Sequence, residues 1–158
     1  MRSRASDLGV AMKGSCLCGE VEFELTGELP NIYQCHCSLC RKVSGSASNS
    51  AMLINSINFK WIKGIRRISS YIRNLRFRSD FCSQCGSPLP NLLKNGNGYW
   101  IPDGLLEKSE KLSVAAHVFV ESKAHCDSIG ATGELFAEMP DDEIFAHLLQ
   151  STIQVPAD

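Results

Sequence analysis

Seven of the eight cysteines in this 158-residue chain fall into three tight groups. The groups have the spacings C-x-C, C-x-C-x-x-C and C-x-x-C, and they consist of Cys16 and Cys18, then Cys35, Cys37 and Cys40, then Cys82 and Cys85. Cysteines that form disulfides are usually spread along a chain, and they need an oxidising compartment. Thiolates this close together repel each other, and a divalent cation turns that repulsion into binding. The spacing therefore predicts metal sites.

The C-x-x-C pair of Cys82 and Cys85 is typical of a structural zinc site. It has the knuckle spacing of zinc ribbons, and Gly86 directly after it permits a tight turn. A structural zinc ion takes four protein ligands, so this pair needs a second pair, which Cys16 and Cys18 can supply. We therefore predict that these four cysteines bind one structural zinc ion.

The remaining group of Cys35, Cys37 and Cys40 can hold a second metal ion without further help. Three protein ligands and one open position are the arrangement of a catalytic zinc site, and a thiol bound there would lose its proton and could attack an aldehyde. We therefore predict two zinc ions per chain, the second of them catalytic. Two alternatives stay open, namely one cluster in which the cysteines share two metals, and iron in place of zinc.

Composition and charge argue against several classes of partner. The formal net charge is -1, and 21% of the residues are charged, so no strong field points to a nucleic acid or a membrane. No apolar run approaches the roughly 18 to 20 residues needed to span a bilayer, and the first residues lack the apolar centre of a signal peptide. We expect a cytoplasmic protein, where thiols stay reduced, without nucleic-acid or membrane partners.

The segments between the cysteines read mainly as short strands separated by turns. Residues 20–25 alternate strictly between polar and apolar, which predicts a half-buried strand with Val21, Phe23 and Leu25 pointing inward. The same reasoning predicts further strands. They lie at residues 32–36, 51–54, 57–62, 68–72, 75–81, 99–101 and 114–120. The predicted class is therefore mainly β.

Helices are few in this reading. Residues 38–43 could form a short helical turn, and residues 141–150 form the one good helix, because Pro140 and two acidic residues stand at its start. Its predicted apolar face consists of Ile144, Phe145, Leu148 and Leu149. The length suggests one domain. We expect residues 12–158 to form a single zinc-binding catalytic domain behind a flexible tail at residues 1–11.

Three ordered motifs carry a resemblance to a known family. They are G-S-C-L-C-G at residues 14–19, C-H-C-S-L-C-R-K-V-S-G-S at residues 35–46 and C-S-Q-C-G-S-P-L at residues 82–89, and H-V-F-V-E-S-K follows at residues 117–123. Over residues 13–140 the chain resembles the glutathione-dependent formaldehyde-activating enzymes. The resemblance implies an Mss4-like β-sheet fold built around zinc knuckles, with a short C-terminal helix in this chain.

The same resemblance implies roles for the cysteines and an activity. Cys16, Cys18, Cys82 and Cys85 would hold the structural zinc ion, and Cys35, Cys37 and Cys40 the catalytic one. The activity would be that of a carbon–sulfur lyase, similar to S-(hydroxymethyl)glutathione synthase, which reversibly joins a thiol to an aldehyde. The implied partners are small molecules: glutathione or a similar thiol, and formaldehyde or another aldehyde. The oligomeric state stays open.

The chain departs from the family pattern at three positions where an aromatic residue is usual. Ser48, Pro90 and Cys126 occupy these positions. We therefore expect a pocket that has lost several aromatic walls, while the zinc sites themselves are intact.

We expect three other residues near the motifs to be packing residues and not metal ligands. His36 stands between two predicted ligands, and side chains in extended chain alternate, so we expect it to pack beside the metal rather than bind it. We expect Cys126 to be a spare buried thiol and His117 a partly buried histidine with partners.

Two other functions stay open. In a non-catalytic, zinc-stabilised binding module, a fourth ligand such as Cys126 or His125 would complete the second site. In a dithiol oxidoreductase, Cys82 and Cys85 would react with each other instead of binding zinc.

Overall fold

The structure is a computed structural model that describes residues 11–74, 77–108, 110 and 112–150 of the chain. Across these residues it contains eleven strands and two α-helices, and the class is mainly β, as the sequence predicts. The predicted tail lies outside the described residues except for Ala11, and so does the predicted start of a strand at Leu75. None of the helices described is both long enough and apolar enough to cross a membrane.

In chain order the strands are β1 (Met12–Ser15), β2 (Glu22–Leu25), β3 (Ile32–Cys35), β4 (Asn49–Asn55), β5 (Phe59–Lys63), β6 (Ile68–Arg73), β7 (Phe77–Cys82), β8 (Asn91–Leu92), β9 (Gly98–Pro102), β10 (Val114–Val118) and β11 (Glu134–Leu135). The helices are α1 (Ser38–Ser44), between β3 and β4, and α2 (Asp142–Leu149), at the C-terminal end.

The strands form three sheets. The largest has the order β11-β10-β3-β4-β9-β8, in which β10 runs parallel to both β11 and β3, and the other pairs are antiparallel. A second sheet has the antiparallel order β1-β2-β5, and β6 and β7 form a two-stranded hairpin. Strand β3 lies between β10 and β4, so the cysteine triplet begins at the end of an interior strand.

The alternation in residues 20–25 is confirmed, because Val21, Phe23 and Leu25 are all fully buried. Phe23 packs against the ring of Phe59 on the neighbouring strand β5, with 5.7 Å between the ring centroids. Burial of one such aromatic side chain stabilises a fold by roughly 1.5 to 3 kcal/mol. The face of β2 predicted from the sequence therefore forms part of the core.

A second part of the core joins β3 to helix α2. Phe145 packs edge-on against Tyr33, with 4.9 Å between the ring centroids, and Phe145 and Leu149 are both buried. The predicted apolar face of this helix is partly wrong, because Ile144 is 48% exposed. Residues four apart share one face of a helix, and here the pair of Phe145 and Leu149 defines that face and turns Ile144 outward.

Three strands have no counterpart in the sequence prediction: β1, β8 and β11. Two of them are only two residues long, and β1 contains one large apolar residue, Met12, so none shows a clear alternation. Strand β1 exists because β2 pairs with it, and Gly14 lies opposite Phe23, whose ring covers the place of a side chain. Whether such short segments form strands depends on pairing with distant strands and not on their local sequence pattern.

Gly64 connects β5 to the hairpin at a position that only glycine fits. Its φ angle is +82°, and a Cβ atom there would overlap the backbone carbonyl of Glu20. We expect Gly64→Ala to lower the free energy of unfolding by about 2 to 5 kcal/mol, from the left-handed backbone and the overlap together. Chemical denaturation would measure this. Gly104→Ala is the matched control, because Gly104 has open space around its Cα. Equal stability of the two variants would contradict this account.

Candidate metal centres

The first cysteine cluster lies where the sheet of β1 meets the hairpin of β6 and β7. Cys16 follows β1 directly and Cys18 lies in the turn behind it, while Cys82 ends β7 and Cys85 lies in the next turn. The four sulfur atoms all lie within 4.8 Å of one another. The structure therefore brings together the four residues that sequence spacing pairs.

Glycines close both turns of this cluster. The Gly19 N–H donates to the Cys16 carbonyl at 3.0 Å, and the Gly86 N–H donates to the Cys82 carbonyl at 2.8 Å. Gly19 and Gly86 have φ angles of +75° and +78°, which favour glycine. Each C-x-C or C-x-x-C segment is thus bent so that both of its sulfur atoms face the same point.

The sulfur spacing fits a tetrahedral zinc ion. The sulfurs of Cys16 and Cys18 are 3.5 Å apart, and those of Cys18 and Cys82 are 3.8 Å apart. Four Zn–S bonds of about 2.3 Å place the sulfurs about 3.8 Å apart in a tetrahedron. A disulfide would bring two sulfurs to about 2.05 Å, and all eight cysteines are free thiols. Donor type, number and spacing therefore suit a closed metal site.

Hydrogen bonds to sulfur prepare this cluster for negative charge. The Ser87 hydroxyl lies 3.3 Å from the Cys85 sulfur and accepts the Leu17 N–H at 3.0 Å. The hydrogen bonds from Ser87 lower the pKa of Cys85 to about 5. The Val21 N–H donates to the Cys16 sulfur at 3.3 Å. Polar groups of the chain thus stabilise the thiolate forms of Cys16 and Cys85, two of the four thiolates that a metal ion requires.

The second cluster, which we call the triplet, consists of Cys35, Cys37 and Cys40. Cys35 ends β3, Cys37 caps the start of α1, and Cys40 lies in the first turn of that helix. The Cys37 sulfur accepts the Cys40 N–H at 3.4 Å, and the three sulfurs lie within 4.8 Å of one another. Helix α1 ends at Gly45, whose φ angle of +64° forms a left-handed cap. The short helix predicted at this position therefore brings the sulfur of Cys40 close to those of Cys35 and Cys37.

The triplet opposes full ionisation of its own thiols. The hydrogen bond with Cys40 lowers the pKa of Cys35 to about 6. The same bond, burial and the negative charges of the other two sulfurs raise the pKa of Cys40 far above its ordinary value. One thiolate forms readily and keeps the next thiol protonated. A divalent cation removes this opposition, because it stabilises all the thiolates at once.

No fourth ligand joins the triplet within the described part of the chain. The groups of histidine, cysteine and carboxylate ligand atoms that lie close together there are the cluster of four and the triplet. Cys126 and His125, the two candidates for a fourth ligand, are both exposed. The expected burial of Cys126 is therefore wrong. Cys126 lies in the segment after β10, and its side chain is exposed there.

Aromatic residues near the triplet come from positions that sequence analysis missed. Trp100 and Phe119 pack against the same buried cluster as Cys37 and Cys40. The Trp100 indole N–H donates to the Tyr33 hydroxyl at 2.9 Å, and burial followed by the negative charge of Cys40 raises the pKa of Tyr33. A signal for Tyr33 was present, because it lies two residues before Cys35 on a strand and so shares its face.

Two of the four histidines are buried behind the triplet. His36 is 1% exposed and His117 is 3% exposed, and their rings are hydrogen bonded to each other. His36 is outside the group of possible metal ligands, in line with its predicted packing role. Its other ring nitrogen contacts Asp127, which sequence analysis did not single out. His147 is exposed on α2, and Lys42 is exposed on α1.

Fold and clusters together define a β-sheet protein with two thiol sites that could hold metal ions, and comparison with known proteins gives its family. The family model for glutathione-dependent formaldehyde-activating enzymes matches residues 11–122, which is most of the chain. The chain therefore belongs to this family. All seven clustered cysteines lie within the matched residues.

Two individual proteins are similar to this chain. A Halomonas elongata protein, which carries the same family name as a provisional assignment, is 32% identical over 84 residues. That match covers 49% of this chain, and the chain spans about half of that protein, 54% of its length. A crystal structure of a Rhodobacter sphaeroides protein is 26% identical, with a TM-score of 0.52 over 63% of this chain and 92% of the other.

Metal analysis of the purified chain would test both clusters. We expect two zinc ions per chain, one ion in Cys37→Ser and one in Cys85→Ser, because each variant removes one ligand from a different cluster. Cys126→Ser is the matched control and keeps two ions, since its sulfur belongs to neither cluster. Elemental analysis with quantified protein gives these ratios. A zinc ion lost from Cys126→Ser, or a wild-type ratio of one, would contradict the division into four and three ligands.

Proposed function

We propose that this chain is a zinc-dependent carbon–sulfur lyase of the S-(hydroxymethyl)glutathione synthase type, which reversibly joins a thiol to an aldehyde. The observation that carries the proposal is the triplet. Three sulfurs lie within 4.8 Å of one another, and no fourth histidine, cysteine or carboxylate of the described residues completes the group. A site with three protein ligands keeps a position for a substrate, whereas a site with four does not.

In this proposal the two clusters have different tasks. Cys16, Cys18, Cys82 and Cys85 hold a structural zinc ion, and Cys35, Cys37 and Cys40 hold the catalytic one. Zinc in the triplet would supply a positive charge that lowers the pKa of a thiol bound beside it. A reducing compartment such as the cytoplasm would keep all seven cysteines available as ligands.

The reaction itself is an addition without net oxidation or reduction. The sulfur of the ionised thiol attacks the aldehyde carbon, a carbon–sulfur bond forms, and the carbonyl π electrons move to oxygen. That oxygen takes up a proton, which balances the proton lost by the thiol, and the product is a hemithioacetal. In the reverse direction the hydroxyl loses its proton, the carbonyl forms again, and sulfur leaves with the bonding electrons.

The walls around the triplet support this chemistry. Tyr33 keeps its proton, because burial and the neighbouring sulfurs raise its pKa, so its hydroxyl can act only as a neutral donor or acceptor. Tyr33 and Trp100 are tied by their hydrogen bond, and the packed aromatic rings reduce access of water to one side of the site. Low water access strengthens electrostatic interactions with a thiolate.

Arg41 supports a thiol that also carries negative charge, such as glutathione. It follows Cys40 on α1 and is half buried, and one guanidinium nitrogen, Nη2, donates to the Ser122 carbonyl at 3.2 Å. This bond ties the positive side chain, which follows Cys40 in sequence, to the segment after β10. A carboxylate of the substrate would be attracted to that charge.

The binding-module alternative has less support. It required a fourth ligand for the second metal, and its two candidates, His125 and Cys126, are both exposed and outside the triplet. A dithiol oxidoreductase would need Cys82 and Cys85 to react with each other. Their sulfurs instead share one cluster with Cys16 and Cys18.

Exchange spectroscopy with ¹³C-labelled formaldehyde would test the proposed reaction. The wild-type chain should speed the exchange of the label between free formaldehyde and its glutathione adduct. Cys37→Ser should leave only the uncatalysed rate, because the triplet can no longer hold its metal, while its circular dichroism stays that of the wild-type fold. Cys126→Ser should exchange as fast as the wild type.

Wild-type rates in Cys37→Ser would overturn the mechanism. If the wild-type chain with two zinc ions accelerates no exchange with glutathione and formaldehyde, a panel of other small thiols and aldehydes in the same assay decides the substrate. Failure with every pair, while both zinc ions are present, would favour the binding module.

A further inference from the structure

A chain of hydrogen bonds runs behind the triplet and has no part in the reaction proposed above. His36 Nδ1 lies 2.7 Å from Asp127 Oδ2, and His36 Nε2 lies 3.1 Å from His117 Nδ1. His117 Nε2 lies 2.9 Å from the carbonyl oxygen of Thr132. Both rings are buried, and all four ring nitrogens have a partner. Such complete satisfaction of buried polar groups fixes side-chain orientation strongly.

The first member of this chain is part of the ligand segment. His36 stands between Cys35 and Cys37, so hydrogen bonds that hold its ring in place also restrain the peptide that joins two of the three sulfurs. The backbone is held as well, because the His36 N–H donates to the Val118 carbonyl at 3.0 Å. Neighbouring side chains in extended backbone point to opposite sides, so the ring anchors the segment from the side away from Cys35.

Asp127 takes part in this chain of bonds through its side chain, whereas Thr132 takes part through its backbone carbonyl. A carbonyl oxygen can only accept, so His117 Nε2 donates to Thr132. Loss of the Asp127 side chain would leave Nδ1 of the buried His36 ring without its partner, and an unpaired buried polar group is costly. Asp127 therefore helps to fix the orientation of the His36 ring.

Both oxygen partners come from beyond residue 122, where the family match ends. This segment is built against the two rings. The Lys123 ammonium donates to the Asp127 carbonyl at 3.1 Å, and the Asp127 N–H donates to the Ala124 carbonyl at 3.0 Å. A Cβ atom on Gly133 would lie 3.2 Å from Cδ2 of His117, so the backbone comes close to the ring there.

We propose that Asp127 and His117 are positioning residues for the triplet. Through His36 they hold the segment from Cys35 to Cys37 in the arrangement that binds metal, before a metal ion arrives. The residues from Asp127 to Thr132 therefore belong functionally to the metal site, although none of them is a ligand. This inference rests on the proposed function only in that the triplet binds zinc.

Zinc release to a chromophoric chelator would test the proposal in the fully loaded chain. The wild-type chain should release its two ions in two phases, and the phase missing from Cys37→Ser belongs to the triplet. Asp127→Ala removes the partner of His36 Nδ1, whereas an amide side chain at this position could still donate to that nitrogen. We expect Asp127→Ala to weaken zinc binding by the triplet roughly 10- to 100-fold, as changes around metal ligands commonly do, and to leave the other phase unchanged.

A second variant and matched controls make the test specific. His117→Gln keeps a donor for Thr132 but loses the link to His36, and it should show the same selective loss. Asp142→Ala and His125→Gln make the same changes at exposed residues and should release zinc like the wild type. A merely structural role of Asp127 would lower the denaturation midpoint equally with and without Cys37→Ser and would leave the triplet phase unchanged.

The outcomes separate this inference from the proposed function. Selective weakening of the triplet by both variants supports the positioning role. Equal weakening at both clusters, or unchanged release in Asp127→Ala, overturns the positioning role alone. Absence of a triplet phase from the wild-type chain overturns both the positioning role and the zinc-dependent reaction.

Discussion

Repulsion between crowded thiolates is the constraint on which the structure depends. Two clusters hold sulfurs within 4.8 Å of one another, and in the triplet the first thiolate raises the pKa of the next thiol. A fold that collects such groups must supply compensating charge, because buried like charges cannot all ionise. Hydrogen bonds from Ser87 and from backbone N–H groups stabilise part of this charge. A divalent cation in each cluster would stabilise the rest.

The two clusters differ in how far apart in sequence their cysteines lie. Cys18 and Cys82 are 64 residues apart in sequence, so an ion between them would close a long loop and fasten the sheet of β1 to the hairpin of β6 and β7. A two-stranded hairpin is marginally stable by itself, so this fastening has structural value. The triplet spans only residues 35 to 40. A metal ion there would link residues that are already close in sequence, so it would not connect distant parts of the fold. A metal ion at the first cluster would stabilise the fold. At the triplet, the fold would instead stabilise the bound metal ion.

The features that could be predicted from the sequence are those that depend on residues close together in the chain. The short spacings of the cysteines, the alternation that buries Phe23 and the helical turn after Cys37 are local patterns, and the structure has all three. The exposed Ile144 and Cys126 were mispredicted, because residue type does not tell which face a short segment presents. The link between His36 and Asp127 joins residues 91 apart, and no periodicity connects them. The family model could not supply it either, since its match ends at residue 122.

A site with three ligands has a difficulty that a site with four does not. Four ligands from two distant segments constrain each other through the metal, but three ligands on one short segment leave the ion exposed to exchange and the segment free to rearrange. The rigidity must then come from around the ligands. Strand β3 supplies it on one side, because β10 and β4 pair with it on both edges, and helix α1 fixes Cys40. The bonded rings of His36 and His117 supply it from behind. An open coordination position, which catalysis requires, is thus compatible with a firmly held metal only where the surrounding fold replaces the missing fourth ligand.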